Sequence, residues 1–321
     1  MKLAEAYMSG ASHISTMQTT IAAPISISGV GVHSGRHTTL TISPAAADTG
    51  ILFYRSDIGH DDGYVLAHAN NAIETQLCTT IENNAKTQVR MVEHLMAACH
   101  GLGIDNLLIE IDSPEVPIFD GSCKNIVEVM NHAGIVSLDS HRTYLEVLSP
   151  VRVSLDDNTW AELVPSHALE LDIEIDFIDP GIGRQALTFD MSETSFTTEI
   201  AHARTFCMLS DVENMRRAGL GKGGSLDNAI VYDNGVLMNE GGLRMDNECV
   251  KHKALDCIGD LYLLGMPVKG KLISQRPGHR LSTLLVQKLL RDESAYRIIS
   301  ADDVALTSGV DHHAMPLVAS A

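Results

Sequence analysis

With 321 residues, 45% of them hydrophobic and 20% charged, the chain has the balance of an ordinary globular protein and the length of two domains. Its formal net charge of −18, from 41 acidic and 23 basic side chains, repels phosphate backbones, so nucleic acid is excluded as a general partner and an anionic substrate needs a local basic pocket. No stretch approaches 18 apolar residues, so no transmembrane helix is expected, and six scattered cysteines without a CxxC pair read as reduced core residues of a cytoplasmic protein.

Residues 1–18 contain Glu5 and lack an apolar run, which predicts a loose leader and not a signal peptide. From Thr19, two alternating runs flank a glycine-rich turn around Gly29 to Gly35 and predict a hairpin. Ile51 to Tyr54 is strand-like. In VRMVEHLMAACHGLG, Met91, Val92, Leu95, Met96 and Cys99 fall at helical spacing, with Gly101 or Gly103 as the stop. A short strand (NLLIEID), a two-proline turn and a second helix (KNIVEVMNHAGI) follow. A break is expected near Ser137 to Arg142. Beyond it YLEVLSPVRVSL, TWAELVP and LELDIEIDF read as strands, and a mostly helical segment is predicted from Glu193 to Arg217. AIVYDNGVL predicts a strand pair over an Asp-Asn-Gly turn. CVKHKALDCIGDLYLLG predicts a strong helix ended by Gly265, KGKLISQ a strand and HRLSTLLVQKLLRD a final helix. Strands grouped with helices in each half predict an α+β fold of two similar domains, 19–138 and 139–302, with a loose tail over 303–321.

Several polar residues fall where chemistry needs them. His252 and Asp256 are spaced i, i+4, so a helix places imidazole and carboxylate on one face, a donor pair that suits zinc; a surface His–Asp pair has the same spacing. Glu93 and His94 are adjacent and diverge by about 100° on a helix, yet a helix end meeting a cleft would let them flank one point, as a carboxylate base and a ligand. A capping Glu beside a half-buried His is the plainer reading. His279 in PGHRL can carry a proton near neutrality. Asp260 lies one helical turn beyond Asp256, and Lys253 follows His252, where it can supply charge to an oxyanion or a phosphate; each also has an ordinary surface explanation. The glycine-rich GLGKGGS does not fit a P-loop, and neither GxSxG nor HExxH occurs.

Taken in order, GVGVHSG, VEHLMAA with GLGIDN, PEVPIFDGS, ARTF, KGGSLDNAIV, GLRMDNECVKHKALDCIGDLYLLG and GHRL resemble the UDP-3-O-acyl-N-acetylglucosamine deacetylases, zinc enzymes of lipid A synthesis in Gram-negative bacteria. The match runs from about Thr19 to about Ser300. The resemblance implies two sheet-on-helix layers with the site between them. It implies His94, His252 and Asp256 as zinc ligands, iron being the other ion such a set takes. Glu93 becomes the general base, His279 the general acid with Asp260 as its partner, Thr205 of ARTF an oxyanion donor and Lys253 a substrate contact. Phe177 aligns with an aromatic near the uridine. The acyl chain of the small-molecule substrate is expected in a passage built by the segment around Gly219 to Val236, lined by Leu220, Leu226, Ile230 and Val231. The chain departs from the family pattern at Cys207, where glycine is usual, at VRM before Glu93, and at GLGKGGS. A zinc amidase for another acetylated sugar and a non-catalytic nucleotide-sugar binder are the alternatives. Oligomeric state is left open.

Overall fold

The computed structural model describes residues 16–75 and 77–302. The expected tail 303–321 and all but the last three residues of the expected leader lie outside the described residues. Strands alternate with helices α1 (Glu93–Gly101), α2 (Lys124–Ala133), α3 (Glu193–Ser195), α4 (Leu209–Arg217), α5 (Glu248–Tyr262) and α6 (His279–Arg291). The fold is α+β, as expected. Among the described residues no helix is long and apolar enough to cross a membrane.

One topology occurs twice. In the first half the hairpin Ile25–Val30 with His37–Pro44 lies on one side of a central strand, Leu107–Ile111, which runs antiparallel to its neighbour. On the other side Ile51–Arg55 runs parallel to the centre and pairs antiparallel with Tyr64–Leu66. In the second half the hairpin Val151–Asp156 with Thr159–Val164 flanks the central strand Val268–Gln275, again antiparallel. Leu169–Asp176 runs parallel on the far side and pairs antiparallel with Arg184–Asp190. In each half one helix precedes the central strand and one follows it: α1 and α2, then α5 and α6. Strict burial alternation along His37–Pro44 and Leu169–Asp176 shows why these runs become one-faced strands. The weak duplication expected from the sequence is thus a duplication of pairing order and direction.

The helices α1 and α5 form the centre of the molecule. Every residue of α1 is buried, as is all of α5 except Lys251 and Lys253. A helix covered on all sides is apolar all round except where polar groups have partners. The ionisable residues in these two helices are therefore the informative ones.

Three expectations need correction. Met17 and Gln18 are not leader, and residues near 137–142 are not a break. The strand Met17–Ile21 pairs antiparallel with Ile135–His141. Gln18 is buried, donating to Asp48 Oδ1 at 2.7 Å and accepting from Asn106 Nδ2 at 2.9 Å. These partners are far away in sequence, so no local pattern marks the pairing. The helical segment from Glu193 to Arg217 is also interrupted. A single turn, α3, passes into a wider turn over Phe196–Ile200, and then Phe206–Met208 forms a strand parallel to Ile230–Asp233 before α4 begins. The interruption is fixed by Arg204. Its backbone N–H and guanidinium bind the buried Glu248 carboxylate at 2.8 to 3.0 Å, which ties ARTF to the start of α5.

Candidate active site

The site begins with a glycine. A Cβ at Gly259 would lie 2.0 Å from the Glu93 carbonyl oxygen and 3.0 Å from Ala97 N. Only glycine lets α5 approach the backbone of α1 this closely. The contact lets α1 present Glu93 and His94 to the face of α5 that carries His252, Asp256 and Asp260. Glu93 opens α1 because Val92, its N-cap, donates its N–H to the Thr79 carbonyl, and Met91 turns the preceding chain through a left-handed conformation at φ 62°. The helix end therefore faces the gap, and two adjacent, diverging side chains reach the same space.

One donor atom from each of His94, His252 and Asp256 lies within 4.8 Å of the others, and all three residues are buried. His252 donates its Nδ1–H to the Ala203 carbonyl at 3.0 Å, which leaves Nε2 as a lone-pair donor 3.4 Å from Asp256 Oδ1. His94 Nε2 stands 3.6 Å from the same oxygen. Burial holds His252 neutral, down to about 3. Asp256 Oδ1 is buried and has no hydrogen-bond partner. A carboxylate oxygen left bare between two imidazoles costs free energy unless a cation fills the gap. Burial alone would raise the Asp256 carboxyl, but His252, Lys253 and His279 hold it well below the usual range. Two imidazoles and one carboxylate are the donor set of a divalent ion, and the group is positioned to bind a metal.

Beside this group stand two proton carriers. Glu93 is fully buried, and burial pushes its carboxyl up, against the pull of His279 and His94. His279, the first residue of α6, faces Glu93 Oε1 at 3.7 Å and Asp256 Oδ2 at 3.9 Å through Nε2. Its Nδ1 faces Asp260 Oδ2 at 3.2 Å. Burial lowers the His279 imidazole, but Asp260, Glu93 and Asp256 outweigh it and bring it to about 9. Glu93 is thus shifted toward a stronger base, and His279 toward holding its proton.

A cleft of about 900 Å³ opens from His279, Lys253 and Thr205. Lys253 Nζ donates to Asp256 Oδ2 at 2.8 Å; Asp256 keeps it charged against the cost of burial. Thr205 is fixed through its backbone, donating to Gly121 O at 2.7 Å and accepting from Ile230 N at 2.8 Å. Phe177 lines the cleft with Phe206, their rings edge to face at 5.2 Å. Leu220, Leu226 and Val231 line it as well. Ile230 does not: it is fully buried, because Ala229 and Val231 face the cleft and the residue between them on the strand faces the core. Helix α4, outside the expected segment, supplies further wall through Val212 and Met215.

Sequence reasoning missed Thr79. This buried threonine touches Glu93, Asp260 and His279. It lies just before the short strand Thr80–Glu82 and carries no periodic signal, and only the fold brings it beside residues from α1, α5 and α6.

The fold and site define an α+β protein whose buried His-His-Asp group is positioned to bind a metal. A model of the family described as UDP-3-O-acyl N-acetylglycosamine deacetylase matches residues 18–291. The chain is 42% identical over 294 residues to the UDP-3-O-acyl-N-acetylglucosamine deacetylase of Photobacterium profundum, covering 90% of this chain and 96% of the relative. It is 45% identical over 285 residues to the proteins of the same name from Brucella ovis and Brucella abortus, covering 88% of this chain and 99% of theirs. The chain belongs to the UDP-3-O-acyl N-acetylglycosamine deacetylase family.

Proposed function

We propose that this chain removes the N-acetyl group of UDP-3-O-acyl-N-acetylglucosamine, releasing acetate, as a zinc-dependent amidase of lipid A biosynthesis in the cytoplasm of a Gram-negative bacterium. The observation that carries this reading is the bare Asp256 Oδ1 between His94 and His252, with Glu93 and His279 next to it. Six free cysteines suit a reducing compartment.

In this reading His94, His252 and Asp256 hold zinc, with iron the other ion the set accepts. The ion supplies Lewis acidity and a water acidified to near neutral pH. Glu93 takes a proton as water adds to the acetamide carbonyl. Thr205 donates its hydroxyl to the developing oxyanion, and Lys253 adds positive charge nearby. Protonated His279 gives its proton to the sugar nitrogen as the C–N bond breaks, so acetate and a free amine leave. Asp260 keeps the His279 ring oriented. Phe177 lies beside the uridine, and Leu220, Leu226 and Val231 cover the acyl chain. Each buried methylene contributes roughly 0.8 kcal/mol, and part of that binding free energy aligns the acetamide.

The test is metal content together with acetate release from the UDP-sugar, with and without its 3-O-acyl chain. The expected result is about one zinc per chain and a kcat/KM lower by orders of magnitude without the acyl chain. Equal kcat/KM for the two substrates makes this a general sugar deacetylase. Acetate release from neither ends the proposal.

A further inference from the structure

We infer that Thr79 is a positioning residue that couples the base and the acid of the site, its backbone fixing Glu93 and its side chain fixing His279. The inference rests on the roles proposed above for those two residues.

The geometry divides the tasks. The Thr79 backbone N–H donates to Glu93 Oε2 at 3.0 Å. That leaves Oε1 as the oxygen facing His279 Nε2 at 3.7 Å. The Thr79 hydroxyl has one proton, and it goes to Asp260 Oδ1 at 2.5 Å, since an ionised carboxylate only accepts. The hydroxyl oxygen then has lone pairs free and lies 3.1 Å from His279 Nδ1. Asp260 Oδ2 lies 3.2 Å from the same nitrogen. Two acceptors converge on Nδ1, so its proton stays there and the ring presents Nε2 to Glu93 and Asp256. Without the hydroxyl, Asp260 Oδ1 becomes a buried, unpaired acceptor and is free to rotate, and the His279 ring loses one of its two restraints.

The location of Thr79 is itself fixed. Its carbonyl accepts from Val92 N at the start of α1, and Thr75 Oγ1 donates to the Cys78 carbonyl just before it. The residue is 2% exposed. It therefore links three separate elements, each of which contributes one proposed catalytic group or its partner.

Because the two tasks use different atoms, a side-chain change separates them. Thr79→Val keeps the backbone N–H and the volume and removes only the hydroxyl; Thr79→Ser keeps the hydroxyl. In the zinc-loaded full chain, Thr79→Val is expected to retain parental metal content and a KM within about threefold, while kcat falls about 10- to 100-fold. Thr79→Ser is expected to restore kcat to within about threefold of the parent. In a His279→Ala background Thr79→Val should cost almost nothing further, because the hydroxyl acts through the imidazole. A third readout needs no variant activity: the His279 Nδ1 proton in the parent should appear as a downfield, exchange-protected NMR resonance, and Thr79→Ser should keep it. Parental kcat in Thr79→Val, or a serine variant as impaired as the valine one, overturns the inference. So does an additive loss in the His279→Ala background, or an unprotected Nδ1 proton in the parent. Full activity of His279→Ala alone would instead overturn the assignment of the acid, independently of Thr79.

Discussion

Gly259→Ala tests the packing that builds the site. The added methyl would start 2.0 Å from the Glu93 carbonyl oxygen, a backbone atom with no rotamer to yield. Ordinary contact needs about 3.4 Å or more, so α1 and α5 must part by about 1.4 Å at this crossing. Overpacking of this kind costs about 1–3 kcal/mol. The better helix propensity of alanine returns about 0.8–1 kcal/mol, so the net destabilisation is expected at about 0–2 kcal/mol. Function should suffer far more. Glu93 and His94 sit on one side of the crossing, and His252 and Asp256 on the other, so the parting widens the donor group and shifts the base. A displacement near 1 Å is worth about 100-fold in rate. Urea denaturation, competitive zinc titration and steady-state kinetics should therefore show a small loss of stability beside large losses of metal affinity and kcat. Gly241→Ala, where a Cβ meets nothing within 4 Å, is the control and should change none of these. Parental zinc affinity and kcat in a Gly259→Ala protein of raised stability would refute the close-contact argument.

Three further predictions follow from the same geometry. His94→Ala, His252→Ala and Asp256→Ala should each lose zinc and activity together, measured by metal analysis after gel filtration; three variants that keep the ion would mean that the ligand set is wrong. Glu93→Ala should retain zinc yet lose about two or more orders of magnitude in kcat, whereas His279→Ala should flatten the alkaline limb of the pH–rate profile, since the imidazole is raised to about 9 and the rate falls as it loses its proton. His100, buried and stacked on Tyr262 at 4.5 Å, is lowered by burial from 6.5 to about 4. It stays neutral in the fold while the unfolded chain takes up a proton, so its contribution is full above pH 6.5 and is lost as pH falls toward 4. Urea melts at pH 7 and 4.5 should show a loss smaller by roughly 2–3 kcal/mol in His100→Phe than in the parent, and equal losses would refute the assignment.

Much of the site was legible because it lies on periodic text. The i, i+4 spacing of His252 and Asp256 survives intact in α5, and Asp260 follows one turn later on the same buried face. Glu93 and His94 were legible as a pair only on the condition that the helix end meets a cleft, since helix geometry alone separates them; the crossing at Gly259 supplies that condition. Thr79 carried no signal, because its role depends on three partners remote in sequence. The strand Met17–Ile21 was hidden for the same reason: its partner, Ile135–His141, is polar at Ser137, Asp139, Ser140 and His141 and reads as a linker. Ile230 is a different kind of miss. Once the segment is a strand, parity alone separates it from Val231, and alternation along the sequence would have assigned it to the core.

The division of the ligands between α1 and α5 has a consequence for how the protein is made. A nascent chain that has emerged only as far as Asn247 already carries His94 and Glu93 but neither donor from α5. The second sheet is equally incomplete at that stage, because its central strand Val268–Gln275 follows α5 in the chain. Closure of that sheet and assembly of the donor group thus fall in the same late window of synthesis. An ion arriving earlier meets one donor of the three on an unfinished chain. An ion arriving later meets donors already set by two packed helices, with His252 oriented by the Ala203 carbonyl. The donor group is thus complete only once both helices have been made and packed.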